Sequence, residues 1–326
     1  MVTAALFVDV PPLPWTGRFD GDGAEHRRWW QAVTSYAPQG PAAAHPAPVP
    51  APFSSRTAVI LGFGSDEGVR RNKGRVGAAA APAAIRAALG PLAFHSGRDV
   101  LDAGDVTVSG GSLEAGQVRA GQAVSRIIDA GQLPVLLGGG HETAFASYLG
   151  VAGSAAVREG LRVGVLNLDA HFDLRDEPAP SSGTPFLQMA RAEAAAGREL
   201  RYAVVGISEP NNTRALFRTA EELGVDYLLD EDCTAEAAQS FVAEFLAQVD
   251  AVYLTIDLDV LPASVAPGVS APAAYGVPLP VITAVCRQVA ASGKLLHLDV
   301  AELNPDFDID ARTAKVAARL IATLLG

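Results

Sequence analysis

The chain has 326 residues, 49% of them hydrophobic, with 36 acidic against 25 basic side chains and a formal net charge of −11. That length and apolar content suffice for one large α/β domain with a sizeable core. The acidic balance argues against nucleic acid or an anionic membrane as the main partner, and no apolar run reaches the ~18 residues that a transmembrane helix needs.

The opening residues, "MVTAALFVDVPPLPW", have no basic start and include Asp9, so no secretory leader is expected. Residues 23–36 read as a short helix. Residues 38–54 are too rich in Pro and Ala for a regular element and are expected to form a surface connection. From residue 57 onward, strand-like and helix-like runs alternate. The strand-like runs are 57–64, 133–140, 161–168, 201–208, 225–229, 251–259 and 294–302. The helix-like runs are 82–92, 113–131, 141–150, 185–197, 213–224, 234–249, 279–293 and 310–325, and several of them end in Gly, as helix C-caps prefer. Such alternation implies one parallel sheet covered on both faces. Residues 1–56 are therefore read as an N-terminal extension packed on the domain, and 57–326 as the catalytic domain. Cys233 and Cys286 make neither a disulfide framework nor a zinc spacing, so a reducing cytoplasm is expected.

The chemistry gathers at three strand ends. "LPVLLGGGHE" closes on His141 and Glu142 after three glycines, which let backbone approach a site closely. "LNLDAHFDLR" supplies Asp169, His171 and Asp173; if the chain stays extended past Leu168, alternate positions project to one side. "VYLTIDLDV" adds Asp257 and Asp259. Singly, such groups are ordinary caps and turns. Together, at the carboxyl ends of parallel strands, they occupy the place where open α/β sheets bind ligands. Two imidazoles and four carboxylates are more than one ion needs. Two divalent ions ~3.5–4 Å apart use them naturally, and the oxygen-rich, thiolate-free set favours Mn2+ over zinc.

"GGGHE", "LDAHFDLR", "SSGTPF", "IDLDVLPASVAPGVSAP" and "LDVAELNP" resemble the ordered signatures of the ureohydrolase family, which includes arginase, agmatinase and formimidoylglutamase. The resemblance runs from about Gly62 to the C-terminus. It implies a three-layer α/β/α fold around a mostly parallel, about eight-stranded sheet, two Mn2+ per chain, and association into a homo-oligomer. Carried over by motif, one ion takes His141, Asp169, Asp173 and Asp257, and the other Asp169, His171, Asp257 and Asp259. The same resemblance gives catalytic roles to Glu302, Asp259 and His171: Glu302 holds the cationic nitrogens of an amidinium or guanidinium, and Asp259 relays a proton to the departing amine.

Arg175 narrows the substrate. Arginase-like sequences carry a small amide at this place. A guanidinium attracts a carboxylate bidentately and repels a free amine. "DAHFDLR" is similar to the formimidoylglutamase branch, whose substrate is a dicarboxylate. Arg71, Asn72 and Arg75 are read as completing a clamp for its second carboxylate, with Asn211 and Asn212 near the amino-acid moiety. Ser182 stands where agmatinases carry a proton-shuttling His, which weakens the arginase and agmatinase readings and leaves the general acid open. The expected function is hydrolysis of N-formimidoyl-L-glutamate to glutamate and formamide in histidine degradation. The rivals are a guanidino-acid ureohydrolase releasing urea and a non-catalytic metal-binding relative. The second is disfavoured because six ligands and Glu302 are all present.

Overall fold

A computed structural model describes residues 6–36 and 55–326; the Pro/Ala-rich stretch 38–54 lies outside the described residues. Nine strands form one sheet: β1 (Thr34–Ser35), β2 (Ala58–Gly64), β3 (Val100–Thr107), β4 (Leu133–Leu137), β5 (Val163–Leu168), β6 (Arg201–Ile207), β7 (Asp226–Leu229), β8 (Ala251–Asp257) and β9 (Leu295–Ala301). Their order is β1-β3-β2-β4-β9-β8-β5-β6-β7, and every pairing is parallel. The helices are α1 (Trp29–Ala32), α2 (Glu67–Arg71), α3 (Ala81–Leu89), α4 (Leu113–Asp129), α5 (Thr143–Gly153), α6 (Ala155–Arg158), α7 (Pro185–Ala195), α8 (Arg214–Glu222), α9 (Ala235–Gln248), α10 (Leu279–Ala291) and α11 (Arg312–Leu325). Among the described residues no helix is long and apolar enough to cross a membrane.

The three layers follow from strand periodicity. In β2, Ala58 and Ile60 pack into one core, while Val59, Leu61 and Phe63 pack into the other, because alternate side chains leave opposite faces of the sheet. The first core is closed by α3, α9, α10 and α11, through residues such as Ile85, Phe245, Ile282 and Leu320. The second is closed by α4, α5, α7 and α8, through Val124, Ala144, Phe186 and Leu216. With both faces covered, the central strands carry near-continuous apolar runs, as parallel sheets require.

Two departures from the sequence reading have physical causes. The strand β3, "VLDAGDVT", carries Asp102 and Asp105 and so does not read as a buried strand. Both are taken up by Arg86, whose guanidinium meets Asp102 Oδ2 at 2.9 Å and Asp105 Oδ1 at 2.6 Å. The helix expected over 23–36 is broken into a 3-10 turn at Ala24–His26, the single helical turn α1 and the edge strand β1. Within residues 6–36, Trp29 is buried, Trp15 Nε1 donates to Asp102 Oδ2 at 2.7 Å, and Val10 forms an antiparallel bridge with Asp105.

The chain leaves β4 for β5 by stepping over two sheet positions, which β8 and β9 fill later. The carboxyl ends of these four central strands therefore converge at a topological switch point. All the residues singled out for metal chemistry lie there.

Candidate metal centre

After β4 the chain turns through Gly138, Gly139 and Gly140, and packing explains the glycines. A Cβ on Gly139 would lie 1.7 Å from the Ser65 carbonyl oxygen, and one on Gly140 would lie 2.2 Å from Glu142 Oε2. The turn is held by Gly138 N–H donating to Val300 O and Gly140 N–H donating to Ser65 O. It delivers His141 to the centre of the site. Glu142 points the other way: its Oε1 accepts from Ser65 Oγ (2.7 Å) and Gly68 N–H (2.9 Å), which ties the start of α2 to this turn. Glu142 is wholly buried, and burial pushes its carboxyl up to about 7.

Beyond β5 the backbone does not stay extended. The strand ends at Leu168, and Asp169 Oδ1 accepts the His171 N–H at 2.7 Å, which bends the chain. Asp173 then takes a left-handed conformation with φ 49°. The bend sends His171 to one side and Asp173 to the other, so the triplet serves two neighbouring groups rather than one. At β8 the same device recurs, with Asp257 Oδ1 accepting the Asp259 N–H at 2.8 Å across a 3-10 turn.

The result is two overlapping clusters that share Asp169. In the first, His141 Nδ1 lies 3.1 Å from Asp169 Oδ2, 3.0 Å from Asp173 Oδ2 and 3.1 Å from Asp257 Oδ2. In the second, His171 Nδ1 lies 3.6 Å from Asp169 Oδ1 and 3.1 Å from Asp259 Oδ2. Despite three carboxylate oxygens at hydrogen-bond distance, His141 Nδ1 makes no hydrogen bond. The four atoms face a common point rather than one another, which is the arrangement of ligands around a cation. The electrostatics agree. Burial and the neighbouring Asp259 and Asp169 carboxylates hold Asp257 well above the usual carboxylate range. Burial also raises Asp173, while it opposes the charge of Asp169, which His141 and His171 nevertheless hold low. Burial disfavours charge on both histidines, yet the carboxylates raise each well above its ordinary value. Four carboxylates at such a site call for positive charge, and the His/Asp donor set fits divalent metal.

Glu302 closes the floor from the end of β9. Its N–H donates to Gly139 O, its Oε1 accepts the His141 N–H at 2.7 Å, and it holds φ 69°. Burial, then Glu142 and Asp259, push its carboxyl up to about 8.

The cavity above this floor encloses about 210 Å³. Arg175, Ser182 and Asn211 line it together with His141, His171, Asp173, Asp257, Asp259 and Glu302. Arg175 lies along the backbone of Gly183, where a Cβ would come within 2.8 Å of its Cδ. Among the described residues no carboxylate pairs with its guanidinium. Arg71 and Arg75 are not brought into the lining. Arg71 is spent on Glu67, Glu114 and the carbonyls of Gly111 and Pro180. Arg75 donates to the carbonyls of Val269 and Ser270 and stacks on Phe307 with 4.2 Å between Cζ and the ring centre. The clamp expected of these two arginines is thus absent, because their donors already hold loops together.

Three asparagines complete the site, of which Asn72 and Asn212 were expected near the substrate and Asn167 was not. Asn72 lines the cavity and donates from Nδ2 to Ser182 Oγ at 3.1 Å. Asn167 donates to Asp169 Oδ2 at 2.9 Å. Asn212 lines the cavity but is used structurally: it donates to the carbonyls of Ala170 and Ser208 and accepts the Phe172 N–H, which pins the ligand loop. Asn167 had a signal in the sequence, a lone amide inside an apolar strand two residues before Asp169.

The arginase-family model matches residues 56–326. The chain belongs to the arginase family. Among curated members, it is 58% identical to the formimidoylglutamase of Nocardia farcinica over 311 residues, covering 95% of each chain. It is 49% identical to that of Chromobacterium violaceum, covering 95% of this chain and 96% of the relative. Among solved arginase-family structures, the formiminoglutamase of Trypanosoma cruzi with Mn2+ superimposes with TM-score 0.75 at 25% identity, covering 82% of this chain and 92% of that one. The formimidoylglutamase of Bacillus subtilis, at 19% identity, shares the fold with TM-score 0.76 over 90% of each chain.

Proposed function

We propose that this arginase-family member is a dimanganese formimidoylglutamase that hydrolyses N-formimidoyl-L-glutamate to L-glutamate and formamide. The observation that carries the substrate is Arg175, an unpaired guanidinium in the lining of a cavity whose floor is anionic. One ion would be held by His141, Asp169, Asp173 and Asp257, and the other by Asp169, His171, Asp257 and Asp259. When bound, the pair supplies the Lewis acidity that makes water nucleophilic near neutral pH.

The chain's own residues do the rest. Arg175 binds one substrate carboxylate bidentately and so fixes the register of the substrate. Among the described residues it is the one Arg or Lys in the lining, so the second carboxylate falls to neutral donors, with Asn72 and Ser182 best placed. The Glu302 carboxylate pairs with the cationic amidinium and holds its carbon over the floor. As water adds to that carbon, Asp259 accepts its proton and passes it to the substrate's α-nitrogen. The C–N bond then breaks, leaving glutamate with a free amine and formamide as the second product. Ser182 in place of a shuttling His is compatible with this short path. The reaction fits the breakdown of histidine in the cytoplasm, and a homo-oligomer is the expected assembly.

The test is a two-product assay on purified, manganese-loaded protein. Formamide and glutamate are expected from formimidoylglutamate. Urea from a guanidino acid such as guanidinobutyrate, with no formamide from formimidoylglutamate, would reject the reading in favour of a ureohydrolase.

A further inference from the structure

Only one of the two ring nitrogens of His141 faces the carboxylates. The other, Nε2, lies 3.0 Å from Thr255 Oγ1. That hydroxyl donates to Asp299 Oδ1 at 2.6 Å. Asp299 is wholly buried, and its second oxygen accepts from Ser147 Oγ at 2.6 Å and from the Tyr253 hydroxyl at 2.5 Å. Thr255 and Asp299 are register partners on β8 and β9, so the sheet itself sets their separation.

A hydroxyl has one proton to give. Thr255 gives it to Asp299, which three hydroxyls use as an acceptor. Thr255 therefore offers Nε2 only a lone pair, and Nε2 must carry hydrogen. In the neutral imidazole Nδ1 is then the bare nitrogen, and it is the one that faces Asp169, Asp173 and Asp257 without a hydrogen bond. A metal-bound imidazole needs this division of roles.

We infer that Asp299, acting through Thr255, is a positioning residue that selects the Nε2–H form of His141 and presents Nδ1 to a metal ion. The inference rests on the metal reading of the site. Asp299 touches neither the cavity nor a ligand carboxylate; its effect reaches the site through one hydroxyl. The pattern is visible in sequence only afterwards, as polar residues at alternate positions of apolar strands: Tyr253, Thr255 and Asp257 on β8, His297 and Asp299 on β9.

Thr255→Val keeps the side-chain volume and removes the hydroxyl. It should weaken one of two manganese ions by about 10- to 100-fold, the usual effect of losing a metal ligand's outer partner. Calorimetric titration reads the affinities, and electron paramagnetic resonance reads the loss of the spin-coupled dimanganese signal in favour of an isolated ion. Thr255→Ser should restore both. Ser147→Ala, which removes a donor to Asp299 without touching Nε2, should keep the coupled signal. A T255V protein that binds both ions with unchanged affinity overturns the inference, as does a T255S protein no better than T255V. The wild-type protein gives an answer that does not depend on a variant folding: loaded with diamagnetic Zn2+, it should show a protected imidazole proton on His141 Nε2 by 15N NMR, and its absence overturns the inference. Wild-type protein that binds no manganese at all rejects the metal reading itself, an outcome separate from the others.

Discussion

In the proposed function, Arg175 carries the choice of substrate in a single side chain. It contributes no metal contact, so its removal should leave the metal cluster intact while the substrate loses a charge-assisted pair. A bond of that kind contributes about 1.5–3 kcal/mol, so Arg175→Ala should raise KM for formimidoylglutamate by about 10- to 100-fold with manganese content unchanged. Steady-state kinetics beside metal analysis check this, and unaltered KM would remove Arg175 from the binding site. At this scale the sequence was legible where a residue's chemistry is unusual for its place. Carboxylates and imidazoles at the ends of apolar strands stand out. Arginines in a polar loop do not declare their partners, which is why Arg71 and Arg75 read as a clamp although Glu67, Glu114 and loop carbonyls occupy them. Asn72, between them, is the side chain that reaches the cavity.

The elements that aim these residues depend on close backbone approach. Gly139 sits where any side chain would strike the Ser65 carbonyl, a group that cannot swing aside as a flexible side chain would. Gly139→Ala should therefore displace the turn that carries His141 and receives Glu302. The expected cost is about 1–3 kcal/mol, with manganese binding lost in parallel, measured by denaturant midpoint and metal content. Wild-type values for both would show that the turn has room to spare. Strands with continuous apolar runs and helices with capping glycines were readable from pattern alone, because burial on both faces leaves little freedom in composition. The strand β3 was not, because its two aspartates are neutralised by Arg86, a partner sixteen residues before Asp102. Nor was the bend after Leu168, since a side-chain oxygen accepting a backbone N–H two residues on leaves an Asp-x-His sequence looking like extended chain.

Across the whole molecule, the proposed metal centre would couple metal binding to stability. In metal-free protein the folded state keeps protons that the unfolded chain releases: Glu142 at about 7, Glu302 at about 8, and both histidines above their ordinary value. Where the folded state binds more protons, stability falls as pH rises. The chelated protein should thus lose thermal stability progressively between about pH 4.5 and 8. Manganese should restore it, by about 3–4 kcal/mol at 100 to 1,000 times the dissociation constant. Melting curves with and without chelator over that range test both statements, and a metal-free protein that gains stability with rising pH would contradict the linkage.

Asp173 and Glu302 hold left-handed backbone conformations, at φ 49° and 69°, that cost a side-chain-bearing residue on the order of 1–3 kcal/mol each. Glycine would relieve that cost at either position and would take the reaction with it. At these two positions the protein is therefore less durable than its own fold allows, and selection for robustness alone would replace them. Engineering for heat resistance therefore has to leave those two positions alone.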